Sequence, residues 1–374
     1  MHPYLRFALF LTSTLLIYLG VHYYLASWTS RHLELGITPG NMRLLFWTLA
    51  MLTISAMLLN HANPSKTALW IVYCAYLVIG ILFLWFSYAF ISEVVETALR
   101  LLFPKLKPLQ FFGWAVLSLT ALSAIWAALD ARRPPVFKYM EISVKGLPKA
   151  YDGFTIVQLS DMHLSHTVNI AQARALFSRL STLEPDIYAF TGDIIDPGFP
   201  EKEEFQALCK SLKSRYGSYG VLGNHEYYYG VGKAVRFYEK SGIHLLRQHN
   251  LTLPNGMQIT GVDDIREARL TDHDLKTTFS KMQPGKPSIF LAHQPKKLEW
   301  AAEHGVTLAL AGHTHGGQVF PFNLFVQLAF PKYYYGLHKL KDTWIYITSG
   351  TFYWGPPMRF FTKSEVPVIK LRAK

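Results

Sequence analysis

Four stretches of this 374-residue chain contain no Asp, Glu, Lys or Arg: residues 7–30, 44–65, 67–92 and 108–129. Each is about 20 residues or longer, enough to cross a bilayer core of ~30 Å as a helix. Charge missing from all four removes the usual sign of an ion pathway and argues against a polytopic transporter. Cysteine is nearly absent. Cys74 and Cys209 fall in an apolar run and a helix-like stretch; they are not expected to pair and carry no information about redox compartment. No internal repeat or low-complexity tract is present. Helix-turn-helix, zinc-finger and RNA-binding signatures are also missing, so the basic charge does not make nucleic acid an expected partner.

What is there divides in two. Up to about residue 130 apolar runs dominate; beyond it charges, prolines and turn residues occur at ordinary density. The expected organisation is a membrane region of about four transmembrane helices over 1–130, a linker or first strand over 131–150, and a globular domain over 151–374. Tyr23, Tyr24, Trp28, Trp70 and Trp126 sit near the ends of the runs, as at a lipid–water interface. Asn60, His61, Asn63 and Pro64 read as a short loop between the second and third. The first run lacks a small-residue cleavage site and three more follow, so it reads as a span rather than a removed leader. The implied location is a multi-pass protein of the cell membrane.

The formal net charge is +12. Residues 1–150 hold twelve basic and five acidic residues, and the remainder twenty-five and twenty. Much of the excess thus lies beside the apolar runs, where it meets anionic headgroups. Lys and Arg in the short flanking segments divide five against five between the two sides, which assigns no orientation.

From Gly153 onward one pattern recurs. A short apolar run ends abruptly in polar or metal-binding residue types. FTIVQLSDMH, DIYAFTGDIID, YGVLGNHE, PSIFLAHQP and TLALAGHTH are the five cases, and WIYITSGT resembles them but ends in hydroxyls. Such runs fit strands buried on both faces of a sheet. Helix-like stretches over 171–183 and 201–214 separate the early ones, which indicates a layered α/β domain.

The run ends collect Asp161 and His163, Asp193 and Asp196, Asn224, His225 and Glu226, His293, then His313 and His315. Groups at neighbouring strand ends converge, and open α/β sheets bind ligands at such an edge. Carboxylate, imidazole and amide without thiolate suit hard or borderline divalent ions. So many candidate ligands exceed one zinc site and suffice for two ions, and a carboxylate has two oxygens with which to bridge them. Each motif alone is weak; all five in order are not.

The blocks D-M-H (161–163), G-D-I-I-D (192–196), G-N-H-E (223–226), His293 and G-H-T-H (312–315) resemble the signature of the calcineurin-like metallophosphoesterases over about residues 153–352. The stretch R-R-P-P-V followed by G-L-P-K-A-Y-D-G-F-T-I-V-Q-L-S-D resembles the membrane-anchored bacterial branch and its vertebrate transmembrane relatives. The resemblance implies a four-layer α/β/β/α sandwich. It implies that Asp161, His163 and His315 bind one metal, that Asn224, His293 and His313 bind a second, and that Asp193 bridges. His225 would lie over the substrate and serve the leaving oxygen, with Asp196 and Glu226 orienting their neighbours. His166 matches no family ligand. The metals would be two divalent ions drawn from Mn, Fe, Zn or Mg.

Two such ions suit in-line hydrolysis of a phosphomonoester, phosphodiester or pyrophosphate by an activated water. Tyr227–Tyr229 and the aromatic segments 321–335 and 352–361 either cover the core or form an apolar surface near the site. With the membrane region, they make a phospholipid, a polyprenyl phosphate or a lipid-linked nucleotide sugar the expected substrate class. The alternative is a non-enzymatic membrane scaffold or sensor that keeps the metal site for structure.

Overall fold

The computed structural model describes residues 3–62, 66–103, 110–165, 167–197, 199 and 202–374. His166, Asn63 and Pro64 lie outside them. The chain falls into two compact units, Met1–Ala128 with Pro356–Met358 and Leu129–Gly355 with Arg359–Lys374.

The apolar runs form α1 (Pro3–His32), α2 (Pro39–Ala62), α3 (Lys66–Leu102) and α4 (Gln110–Ala131). With no charged side chain to solvate, a helix is the conformation in which these runs satisfy their own backbone. Leu25, Trp28, Met42, Phe46, Leu82 and Ala89 pack inward. Large apolar residues such as Leu16, Leu52, Leu58, Phe111 and Leu122 face outward. Among the described residues three helical segments are long and apolar enough to cross a membrane: Pro39–Leu58, Leu69–Leu102 and Gln110–Ala131. Two boundaries differ from the sequence expectation. α2 runs through Asn60 and His61. α3 continues ten residues past Ser92 because its charges find partners: Glu93 accepts from Arg31 and Tyr24, and buried Glu96 pairs with His32 and Arg100 at 2.8 Å each.

Among the described residues the second unit contains two six-stranded sheets. Its strands are β1 (Val136–Val144), β2 (Thr155–Leu159), β3 (Ile187–Phe190), β4 (Ser218–Gly220), β5 (Ile243–Leu245), β6 (His249–Thr252), β7 (Gln258–Gly261), β8 (Ser288–Leu291), β9 (Leu308–Ala311), β10 (Gly336–Leu340), β11 (Thr343–Ile347) and β12 (Glu365–Ala373). The orders are β1-β12-β2-β3-β4-β5 and β10-β11-β9-β8-β7-β6. Its helices are α5 (Ile170–Leu180), α6 (Lys202–Ser211), α7 (Asn224–Tyr229), α8 (Val231–Lys240), α9 (Asp272–Phe279), α10 (Glu299–Glu303) and α11 (Phe322–Ala329). Each of the six apolar runs singled out in the sequence overlaps a strand, although β4 takes in only Tyr219 and Gly220 of the third, and the 131–150 segment supplies the edge strand β1. β1 lies parallel to β12, over a separation that no local pattern encodes.

Burial shows four layers. One core lies between the sheets, where Ile156, Ile187 and Ile369 meet Ile259, Ile289 and Leu310. On the far side of the first sheet, Leu159, Tyr188 and Phe190 pack against Leu176 and Phe177 of α5, Phe205 of α6 and Phe237 of α8. On the far side of the second, Phe290, Ala309 and Ile345 pack against Leu275 and Phe279 of α9 and Ala301 of α10. The central strands have both faces covered, which explains their unbroken apolar sequence.

Register then places the site. β2, β3 and β4 are parallel, with Leu159 beside Phe190 and Phe190 beside Gly220. β8, β9 and β11 are parallel, with Leu291 beside Leu310 and Ala311 beside Ile347. Every motif leaves the carboxyl end of one of these strands.

Candidate metal centre

The backbone at this edge is unusual. Asp161, His163, Asp193, His313 and His315 have φ of 51°, 44°, 53°, 72° and 50°. Non-glycine residues in that region cost about 1–3 kcal/mol each, and such strain gathers at functional sites. It turns consecutive side chains toward one point instead of alternating across the strand. The glycines beside them permit close approach. A Cβ on Gly312 would collide with the Asp161 carboxylate, and one on Gly223 with that of Asp193.

Two groups of side chains result. Asp161, His163 and His315 offer ligand atoms within 4.8 Å of one another, as do Asp193, His293 and His313. In the first group His163 Nε2 lies 3.1 Å from His315 Nε2, and His315 Nε2 lies 3.6 Å from Asp161 Oδ1. In the second, His293 Nε2 lies 3.1 Å from Asp193 Oδ2, 3.1 Å from His313 Nδ1 and 3.0 Å from Asn224 Oδ1. Asp193 Oδ2 is also 3.8 Å from His163 Nε2, so this carboxylate lies between the groups. A third trio, His163, Asp193 and His225, shares the same space.

The donor set fits cations. His293 Nδ1–H donates to the Thr191 carbonyl at 2.9 Å, which turns the Nε2 lone pair toward three other acceptors. Four electron pairs converging within about 3 Å repel one another unless a proton or a metal ion sits among them. Nitrogen and oxygen ligands without sulfur suit the borderline and hard divalent ions.

Supporting groups fix these side chains. Asp196 Oδ1 lies 3.1 Å from His163 Nδ1 and 2.7 Å from His225 Nδ1. Fully buried Glu226 accepts from the backbone N–H groups of Asp193, Ile194, Ile195 and Gly223 at 2.7–3.2 Å and so holds two motifs in one register. Ser160 Oγ–H donates to Asp161 at 2.5 Å, and the His313 N–H donates to the same carboxylate at 3.0 Å.

The charges are strongly coupled. Burial alone would lower His293, but Asp193 and Asp161 outweigh it and hold it up to about 10. Burial would also lower His225, and Asp193 and Asp196 push it up to about 9. Burial and the neighbouring His293 charge press His313 down to about 3. Burial, reinforced by His163 and Arg359, keeps His315 well below its usual value.

All ten residues singled out in the sequence converge here. Three further ones did not stand out. Arg359 is completely buried without a carboxylate partner among the described ion pairs. It donates to the carbonyls of Ser349, Phe352 and Lys363, and its Nη2 lies 3.4 Å from His315 Nδ1. Gln318 and Trp354 form a pair at the rim. Gln318 follows the G-H-T-H block after two glycines; Trp354 and Arg359 lie in an aromatic segment with no metal-binding residue type. That segment divides in the fold: Phe352 and Tyr353 are buried, whereas Trp354 and Phe361 are exposed, as are Phe322, Phe325 and Leu328 on α11.

The family model described as calcineurin-like phosphoesterase matches residues 154–317. An uncharacterized metallophosphoesterase of Helicobacter pylori is 35% identical over 223 residues, covering 59% of this chain and 60% of that protein. A transmembrane protein with metallophosphoesterase domain from Bos taurus is 34% identical over 276 residues, covering 69% of this chain and 62% of that protein. The chain thus spans about three fifths of the length of these two relatives. An uncharacterized metallophosphoesterase of Campylobacter jejuni is 32% identical over 265 residues, covering 69% of this chain and 70% of that protein. Similarity of this extent, on a domain whose motifs meet at one sheet edge, makes the chain a member of the calcineurin-like phosphoesterase family.

Proposed function

We propose that this chain is a metal-dependent phosphoesterase of the cell membrane, spanning it several times and acting on a lipid or membrane-proximal phosphoester. The observation that carries the reading is the Asp193 carboxylate lying between two ligand groups, 3.1 Å from His293 and 3.8 Å from His163. Asp161, His163 and His315 would hold one divalent ion and Asn224, His293 and His313 a second, with Asp193 shared. When bound, such a pair neutralises phosphate oxygens and activates water for in-line displacement.

The chain's own groups do the rest. Asp196 takes His225 Nδ1 and leaves Nε2 to serve the departing oxygen. The Asp196 carboxylate beside His225 Nδ1 favours the protonated ring, as a general acid requires. Glu226 keeps the Asp193 and Asn224 motifs at fixed separation. Support for a lipid substrate comes from the exposed apolar residues of α11, which follows the G-H-T-H block within seven residues, and from the three long apolar helices.

The test is hydrolysis of p-nitrophenyl phosphate and bis-p-nitrophenyl phosphate by the purified full-length protein with Mn²⁺, followed by mass spectrometry of a cellular lipid extract. Loss of phosphate from defined lipid species is the expected result. A folded, metal-loaded protein inert toward mono- and diesters would instead favour the scaffold.

A further inference from the structure

His225, the residue proposed to serve the leaving group, lies beside two exposed aromatic residues. The Trp354 ring centroid is 5.9 Å from that of His225, at an interplanar angle of 81°, and 6.5 Å from that of His163. The Tyr228 ring is 5.3 Å from His225 on an edge-to-face approach. Both residues remain open to solvent, 50% for Trp354 and 60% for Tyr228. Large aromatic surface left exposed beside a buried polar site is the pattern of a ligand subsite rather than of a core.

Trp354 is also held in place. The Gln318 side chain receives the Trp354 N–H at 2.9 Å and donates to the Trp354 carbonyl at 2.8 Å, a two-point clamp on one residue's backbone. Next to it Tyr353 is buried and donates its hydroxyl to the Thr167 carbonyl at 2.5 Å. With Tyr353 turned inward and the backbone clamped, Trp354 is directed outward over His163 and His225. Gln318 itself adopts φ 50° immediately after the turn that carries His315, so the clamp and the ligand turn form one unit.

The geometry points to a leaving-group subsite made by Trp354 and Tyr228, with Gln318 as the residue that positions it. Resting on the phosphoesterase reading, this assigns the substrate class by its leaving group. A phosphate engaged by the ligand groups directs its departing oxygen at His225. The group attached to that oxygen then meets these two rings beside His225. Such an aromatic surface favours a flat or apolar leaving group over a small hydrated alcohol, because exposed rings gain contact only with the former.

The test uses the full-length protein loaded with Mn²⁺ and two unreactive probes, benzylphosphonate and ethylphosphonate, with dissociation constants from calorimetry. The wild type is expected to prefer benzylphosphonate. Trp354→Ala should reduce that preference about tenfold, Tyr228→Ala several-fold, and Trp354→Phe should retain most of it. Gln318→Ala, which frees the ring without deleting it, should fall between. No preference in the wild type, or a preference kept in both Trp354→Ala and Tyr228→Ala, would overturn the subsite. Tyr228 is exposed, so its variant remains informative if Trp354→Ala does not fold. Hydrolysis of phenyl phosphate is followed separately: intact preference without turnover would refute the hydrolase reading and leave the subsite standing.

Discussion

The Asp196 carboxylate lies 2.7 Å from His225, Oδ1 to Nδ1, and the same oxygen lies 3.1 Å from His163 Nδ1. One oxygen thus orients a proposed metal ligand and the proposed acid together. Asp196→Asn keeps the shape but removes the charge that holds the His225 proton. We expect kcat to fall about 10–100-fold with a smaller change in KM, and His225→Gln to fall about 10²–10⁴-fold. Steady-state kinetics on one diester distinguishes these outcomes, and equal loss in kcat and affinity would contradict the assignment.

Asp193→Asn addresses the shared carboxylate. Its two oxygens face His293 and the backbone N–H of His225, and an amide supplies only one acceptor. The expected result is loss of at least one bound ion per chain by elemental analysis, together with loss of turnover. Full metal content with full activity would remove the central premise.

Metal binding should release protons. The Asp193 and Asp161 carboxylates hold His293 up to about 10, so its imidazole is protonated at neutral pH. A ligand nitrogen must shed that proton before it coordinates. His313, pressed down to about 3, has no proton to lose. Affinity at the second group should therefore rise with pH until about 10, and calorimetry of Mn²⁺ binding in buffers of different ionisation enthalpy should show proton release. Heats that do not depend on the buffer would rule this out.

Glu226→Gln replaces an acceptor of four backbone N–H groups by a side chain whose NH₂ must face two of them. Loss of charge-assisted bonds in a buried place costs about 2–3 kcal/mol. A lower thermal midpoint is expected, of several degrees for a domain of this size. An unchanged midpoint would show that Glu226 does not hold the motifs together.

The exposed residues Phe325 and Leu328 of α11 test the lipid reading. Replacing both by Ser should lower activity on a phospholipid in mixed micelles relative to activity on p-nitrophenyl phosphate. A ratio equal to that of the wild type would leave the apolar surface without a part in substrate choice.

Much of this was legible in sequence. The runs around Val157, Ala189, Phe290 and Leu310 are apolar throughout because helices cover one face and the opposite sheet the other. The ligand types stand at the run ends because parallel strands bring those ends to one edge. Charge-free runs announced their helices, although Glu93 and Glu96 carried α3 past the expected limit by finding partners on α1.

Other features belong to the tertiary structure alone. The pairing of β1 with β12 joins residues more than two hundred positions apart. The burial of Arg359 against backbone carbonyls, and the Gln318 clamp on Trp354, depend on loops meeting across the sheet edge. Sequence fixes which chemical groups a strand end offers, since side-chain type and apolar periodicity are local. Distance and direction between those groups depend on long-range register and on left-handed turns such as that of His163, which only the packed fold imposes.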